Sequence, residues 1–346
     1  SCEIEAYSSS NLKIPYAAIM AVYESEKSIS MVHSYTRTYS NIEVEDDETI
    51  SDGHEGCWVL RDNLETESFA VLHNGSQIQE DQNIKLKITN YKNISKEINI
   101  KYPEMNPYET RVFKPIDFFP ELIPFLDGKE GSAVLNFSLS RSFTRLLLGN
   151  QSIDKTQLQV RHSNFDYSVH QTNLLGSENS EIFVMVPNIK DRETKALIYP
   201  DRTKGKYELT SKSTGKINLP ENLFLHDNPD NELILSRIDG PLPSRVISGI
   251  QFDSLIDKSV LPCEAPIRVI HKACPPKRLH WSIWSPKYKS QIIVTAYKKV
   301  FGSPQLNTEL NLKIYSSKTK EIYESNITWS TISCENQIGY VDLYKM

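Results

Sequence analysis

The sequence predicts an all-β protein of tandem antiparallel β-sandwich domains with a few short helical turns. Runs rich in Ile, Val, Thr, Tyr and Phe alternate with polar residues, and clusters of Asn, Gly, Pro and Ser separate them. This pattern is typical of antiparallel sheets, and helical periodicity is scarce. A domain usually has about 100 to 200 residues, so we expect more than one compact unit in a chain of 346.

The clearest block of strands lies between residues 67 and 150. Its six predicted strands span residues 69–73, 84–89, 97–102, 109–113, 131–139 and 143–148. A helical turn at 117–126, with Asp117 as its expected cap, precedes the last two strands. Short strands at this spacing resemble an immunoglobulin-like sandwich. The resemblance is one of architecture and implies a scaffold, not an activity.

The predicted division of the chain has four parts. They are an N-terminal β region (1–66), which packs with the next domain or stands apart, the immunoglobulin-like sandwich (67–150), a middle β domain (151–260) and a C-terminal β-sandwich (261–346). Residues 310–315 and 320–323 echo 84–89 and 96–100, which favours a related C-terminal sandwich. Three predicted aromatic-rich strands also begin with a histidine, at positions 33, 162 and 280. This similarity reflects either chance or a threefold repeat.

Composition argues against two classes of partner. The formal charge is −5, from 39 basic and 44 acidic residues, so a basic surface for nucleic acid is not expected. No apolar run approaches the roughly 18 residues needed to cross a bilayer, so no membrane span is expected.

The sequence gives opposing indications of the compartment. Five thinly spread cysteines slightly favour a reducing cytoplasm over secretion. Against this stand the glycosylation-type triplets that begin at Asn74, Asn93, Asn136, Asn150 and Asn326.

The first candidate site is a ligand-binding face on a strand near the N-terminus. A period of two places His33, Tyr35, Arg37 and Tyr39 on one side of this strand. If exposed, the rings would stack on a sugar while the guanidinium reached a carboxylate or sulfate. If buried, the same residues would form an ordinary interface between domains.

The second candidate site is a metal site at His162, Asp166 and His170. Imidazole and carboxylate groups suit a divalent metal, the one cofactor that the sequence suggests. Residues four apart on a straight strand lie about 13 Å apart, so one ion would require a bulge or a ligand from a neighbouring strand. The alternatives are a solvated edge strand and contact with another ligand.

Two further groups of metal-ligating residues carry weaker signals. The acidic run 43–48 is followed by His54 and Glu55 but lacks the spacing of a calcium loop, which favours a solvated hairpin. Cys263 and Cys274, with His271 and His280, lack zinc-knuckle spacing and are more simply buried thiols or a disulfide.

No phosphate loop, dinucleotide fingerprint, nucleophile elbow or zinc-protease helix is present in the sequence. The leading hypothesis is a non-catalytic ligand-binding or interaction protein with a carbohydrate or another small molecule as ligand. Its rival is a metal-assisted hydrolase or isomerase of a sugar or small acid, with His33, His162, Asp166 and Glu45 brought together from separate strands. A purely structural assembly component is the third alternative. Whether the chain is an enzyme, its cofactor and its oligomeric state stay open.

Overall fold

A computed structural model gives the fold. It describes residues 18–35, 50–74, 77–140, 146–162, 181–185, 192–199, 206–211, 215–218, 224–227, 232–239, 247–254, 261, 263–266, 269–270, 284, 287, 291–295, 309–328, 333–335 and 338–343. In these residues the protein is mostly β-sheet with two short helices, and every strand pair is antiparallel, which confirms the predicted all-β class.

The first half of the chain contains ten described strands and both helices. The strands are β1 (Ala18–Glu24), β2 (Ile29–Tyr35), β3 (Ile50–Leu60), β4 (Thr66–His73), β5 (Gln82–Thr89), β6 (Ser95–Tyr102), β7 (Thr110–Phe113), β8 (Gly131–Ser140), β9 (Leu147–Ser152) and β10 (Leu158–His162). The helices are α1 (Pro115–Phe118) and α2 (Leu122–Leu126).

Strands β3 to β10 form two four-stranded sheets around one hydrophobic core. The strand orders are β3-β8-β5-β6 and β10-β9-β4-β7. Both sheets supply buried side chains to a single cluster, among them Leu60, Leu86 and Leu135 from the first sheet and Leu72 and Leu148 from the second. The two sheets therefore pack face to face as a β-sandwich.

The predicted alternation in β5 is confirmed. Ile84, Leu86 and Ile88 are fully buried, whereas Lys85 is exposed and Lys87 only partly buried. Because successive side chains of a strand point to opposite faces, one face of β5 enters the core and the other carries the lysines.

Helices α1 and α2 close one end of the core. Phe118 stacks on Phe113 of β7 with the ring centroids 4.7 Å apart, and Leu122 and Leu126 are fully buried. The expected cap at Asp117 is wrong, because this residue lies inside α1, which begins with Pro115. Proline suits the first turn of a helix because it lacks the backbone N–H that would have no partner there.

The second half of the chain forms smaller sheets. Its strands are β11 (Glu181–Met185), β12 (Arg192–Tyr199), β13 (Lys206–Ser211), β14 (Gly215–Asn218), β15 (Phe224–Asp227), β16 (Glu232–Asp239), β17 (Ile247–Ser254), β18 (Cys263–Pro266), β19 (Val269–Ile270), β20 (Gln291–Thr295), β21 (Glu309–Tyr315), β22 (Ile322–Thr328), β23 (Ser333–Glu335) and β24 (Ile338–Asp342). They pair in the orders β14-β13-β16-β11-β19, β15-β12-β17-β18, β20-β24-β23 and β21-β22.

The sandwich draws strands from outside residues 67–150, since β3 precedes this block and β10 follows it. The four-part division of the chain stays a prediction. Among the described helices, none is long and apolar enough to cross a membrane.

Candidate functional site

Two serine hydroxyls, that of Ser28 just before β2 and that of Ser30 within it, contact β10, an end strand of its sheet among the described strands. The hydroxyl of Ser28 accepts a hydrogen bond from the backbone N–H of Leu158 at 2.8 Å and lies 2.9 Å from its carbonyl oxygen. The hydroxyl of Ser30 accepts from the N–H of Val160 and donates to the carbonyl of Leu158, both at 3.2 Å. Side chains thus replace the backbone ladder along this contact, which we call the serine seam.

Strands β2 and β10 run parallel to each other along the serine seam. Lys27 donates its backbone N–H to the carbonyl of Thr156, and Ser30 contacts β10 farther along at residues 158 and 160. Extended strands advance by nearly equal rises, so His33 of β2 and His162 at the end of β10 lie at the same end of the seam.

A small apolar cluster holds the seam against the outer face of the sandwich. Val32, Phe69 and Val160 are each at most 8% exposed, and they pack together on the side of the sheet away from the main core. The ring of Phe69 lies over Gly149, where an added Cβ would come within 2.4 Å of it. A glycine at this position of β9 therefore leaves room for the ring of Phe69.

The structure places part of each predicted site. His33 and Tyr35 are in β2 and His162 ends β10, so one strand from each proposed site meets at the seam. The remaining predicted site residues lie outside the described part of the chain: Arg37, Tyr39, Asp166, His170 and Glu45. In the described residues, no group of three His, Cys, Asp or Glu side chains could hold a metal ion.

The weaker candidates are placed only in part. His54 and Glu55 belong to β3, and Cys263 begins β18. The acidic run 43–48, together with His271, Cys274 and His280, lies outside the described residues.

A buried ion cluster that the sequence did not reveal joins the sandwich to β12. Both carboxylate oxygens of Glu130 lie 3.0 Å from the ammonium of Lys195, and one lies 3.3 Å from the guanidinium of Arg61. Burial raises the pKa of Glu130, but the two cations outweigh this effect and the net pKa is lowered. The three side chains are only 9 to 13% exposed, so the cluster is an internal cross-link.

A second buried carboxylate has an incomplete set of hydrogen bonds. Asp62 is 4% exposed; its Oδ1 accepts from the backbone N–H of Ser68 at 3.1 Å, while its Oδ2 is buried without a partner. Burial raises the pKa of Asp62 to about 6 despite the hydrogen bonds from Ser68, which lower it. The hydroxyl of Ser68 in turn donates to Asn150 at 2.8 Å.

Two of the glycosylation-type asparagines are buried in the sandwich. Asn74 is fully buried, and its Nδ2 lies within 3.2 Å of the carbonyls of Gln77, Met105 and Asn106. Asn150 is 3% exposed and its amide contacts the carbonyl of Val59. A glycan on either side chain is incompatible with this fold.

No protein-family model matches the chain, and no curated protein matches it either.

Proposed function

We propose that the chain is a non-catalytic binding protein of tandem β-sandwiches, at least one of them immunoglobulin-like, with a carbohydrate as its ligand. The observation that carries this proposal is the serine seam, which lays β2 beside β10. The strands that hold His33 and His162 are about 130 positions apart in sequence, yet they are neighbours in the fold.

The residue types of the predicted ligand-binding face suit a saccharide. Tyr35 and Tyr39 offer rings that can cover the apolar face of a sugar, and Arg37 offers a planar set of donors for a carboxylate or sulfate. His162 ends the neighbouring strand β10, and in this proposal its imidazole contributes a polar group to the site. A platform on two strands is wider than the single-strand face that the sequence suggests.

A glycan array tests this proposal. The intact chain should bind one class of saccharide, and Tyr35→Ala should weaken that binding about tenfold or more, as expected for loss of an aromatic anchor. Tyr315→Ala is the matched control, because Tyr315 is a 67% exposed tyrosine on β21. Absence of binding to every saccharide class, or equal loss in both variants, would contradict the proposal.

A metal-assisted hydrolase or isomerase is the second candidate function, and the same seam favours it. Neutral imidazoles are good ligands for a divalent metal, and His33 and His162 lie at one end of the seam. Asp166 and Glu45 would supply the carboxylates in this hypothesis. Elemental analysis should then find one equivalent of metal in the wild type and a large loss in His33→Ala, whereas a metal-free wild-type protein would argue against it.

A further inference from the structure

Among the described strands, β6 forms one end of the sheet β3-β8-β5-β6. Lys96, Glu97, Asn99 and Lys101 on this strand are all exposed. A terminal strand has backbone N–H and C=O groups directed away from its sheet, and these can pair with another strand. Lysines on such an edge usually oppose association, so the pattern of charges decides whether pairing is favourable.

The charges of β6 are self-complementary in one antiparallel register. If two copies of β6 pair about an axis through Asn99, each Glu97 lies opposite Lys101 of the other copy. These side chains occupy the outward face of the sheet, as Lys85 opposite Asn99 and Lys87 opposite Glu97 indicate. Opposite charges directly across an antiparallel pair are stabilising, and this register forms two such pairs.

A shift of this register by one residue removes the complementarity. An axis through Ile98 would place Glu97 opposite Asn99, and an axis through Ile100 would place Lys101 opposite Asn99, so neither ion pair would form. The axis through Asn99 also sets Ile98 opposite Ile100 on the inner face, where Ile100 is 5% exposed and belongs to the core. The inner and outer faces therefore favour the same alignment.

The existing contact of Lys101 does not compete strongly with this pairing. Its ammonium lies 3.7 Å from Asp81, and the two side chains are 77% and 55% exposed. An ion pair this exposed contributes little to stability, so Lys101 can turn toward a second chain.

We propose that two copies of this chain associate through β6 in an antiparallel, two-fold register centred on Asn99, forming a continuous eight-stranded sheet. One strand pair buries less than the roughly 1,200 Å² of a standard interface, so the dimer is weak and reversible. Its ion pairs are exposed, so salt weakens it further.

Sedimentation analysis of charge variants tests the proposed register. Glu97→Lys alone and Lys101→Glu alone each turn both cross-pairs repulsive and should raise the dimer dissociation constant about tenfold. The double variant, Glu97→Lys with Lys101→Glu, restores the pairs and should return the constant close to that of the wild type. Lys318→Glu and Glu309→Lys make the same charge changes at exposed positions of the β21–β22 hairpin, which belongs to another sheet, and should leave it unchanged.

Three outcomes would overturn this proposal. They are a wild type that stays monomeric at the highest concentration reached, a dimer that single variants do not weaken, and a double variant that dimerises no better than the singles. Thermal unfolding of each variant checks that the fold is retained.

Oxidative cross-linking tests the centre of the register independently. Two-fold pairing places residue 99 opposite itself at a distance that a disulfide can span. Asn99→Cys should therefore give a covalent dimer through residue 99, whereas Asn83→Cys on the adjacent strand β5 should give no more than the wild type with its native cysteines. Equal cross-linking of the two variants would refute the register.

Discussion

Replacing Asp62 with asparagine removes a buried carboxylate whose ionisation destabilises the folded protein. Burial raises the pKa of Asp62 in the folded protein to about 6, from an ordinary value of 3.8. Each tenfold difference in proton affinity corresponds to about 1.4 kcal/mol, so the ionised side chain costs the folded state about 3 kcal/mol at neutral pH.

The sign follows from the direction of the pKa change. Because the native state binds this proton more tightly than the unfolded chain, Asp62 makes the protein less stable as the pH rises from about 4 to about 6, and the loss is complete by pH 7. Glu67 and Glu130 act in the opposite direction, because their pKa values are lowered in the fold. The informative quantity is therefore the difference between the variant and the wild type.

Urea unfolding of both proteins at several pH values measures this difference. Asp62→Asn should gain about 3 kcal/mol relative to the wild type between pH 4 and pH 7. The new amide adds a buried donor beside Ser68, whose cost is the same at every pH and leaves the slope unchanged. Carbon NMR of the carboxyl group gives the pKa directly. A pH-independent difference, together with a carboxyl pKa near 4, would refute the reasoning.

Substitutions at three further places in the sandwich test its packing by thermal or urea unfolding. Gly149→Ala should lower the free energy of unfolding by about 1 to 3 kcal/mol, because the added Cβ would lie 2.3 Å from a backbone oxygen of β10 and 2.4 Å from the ring of Phe69. An unchanged stability would contradict that contact. Asn74→Asp should lower the free energy of unfolding more than Asn74→Ala, because a buried carboxylate would face three carbonyl oxygens, and its stability should recover partly in acid. Equal losses of stability in the two variants would contradict this. Glu130→Gln should lower the free energy of unfolding by about 3 to 5 kcal/mol, because it leaves the cations of Arg61 and Lys195 buried together without a carboxylate. Lys195→Met should lower it less, because the ion pair between Glu130 and Arg61 is kept.

The sequence predicted the strands whose side chains alternate strictly. In β5, the isoleucines and leucine alternate with lysines, and burial follows the same period. The first part of the strand predicted at 143–148 lies outside the described residues, and the described strand there is Leu147–Ser152. The prediction ended at Leu148 because the apolar run ends there. The strand continues through Gly149 and Asn150, which have low β propensity but pair with β4.

The buried polar groups had no comparable sequence signal. Glu130 and Lys195 meet only because a strand from the middle of the chain reaches the sandwich. The seam likewise depends on side-chain contacts between Ser28 or Ser30 and a backbone about 130 positions away. Serine on a strand usually indicates a solvated face, so this contact required knowledge of the tertiary structure.

The shared location of the two predicted sites is tested most directly by cross-linking His33→Cys with His162→Cys. A short bifunctional thiol reagent should join these positions within one chain, as identified by mass spectrometry, because they lie at the same end of the seam. The control pair, His33→Cys with Thr156→Cys, should not be joined, since Thr156 is level with Lys27, about 20 Å along the strand from residue 33. A link from residue 33 to residue 156 and none to residue 162 would contradict the parallel seam and the binding site built on it.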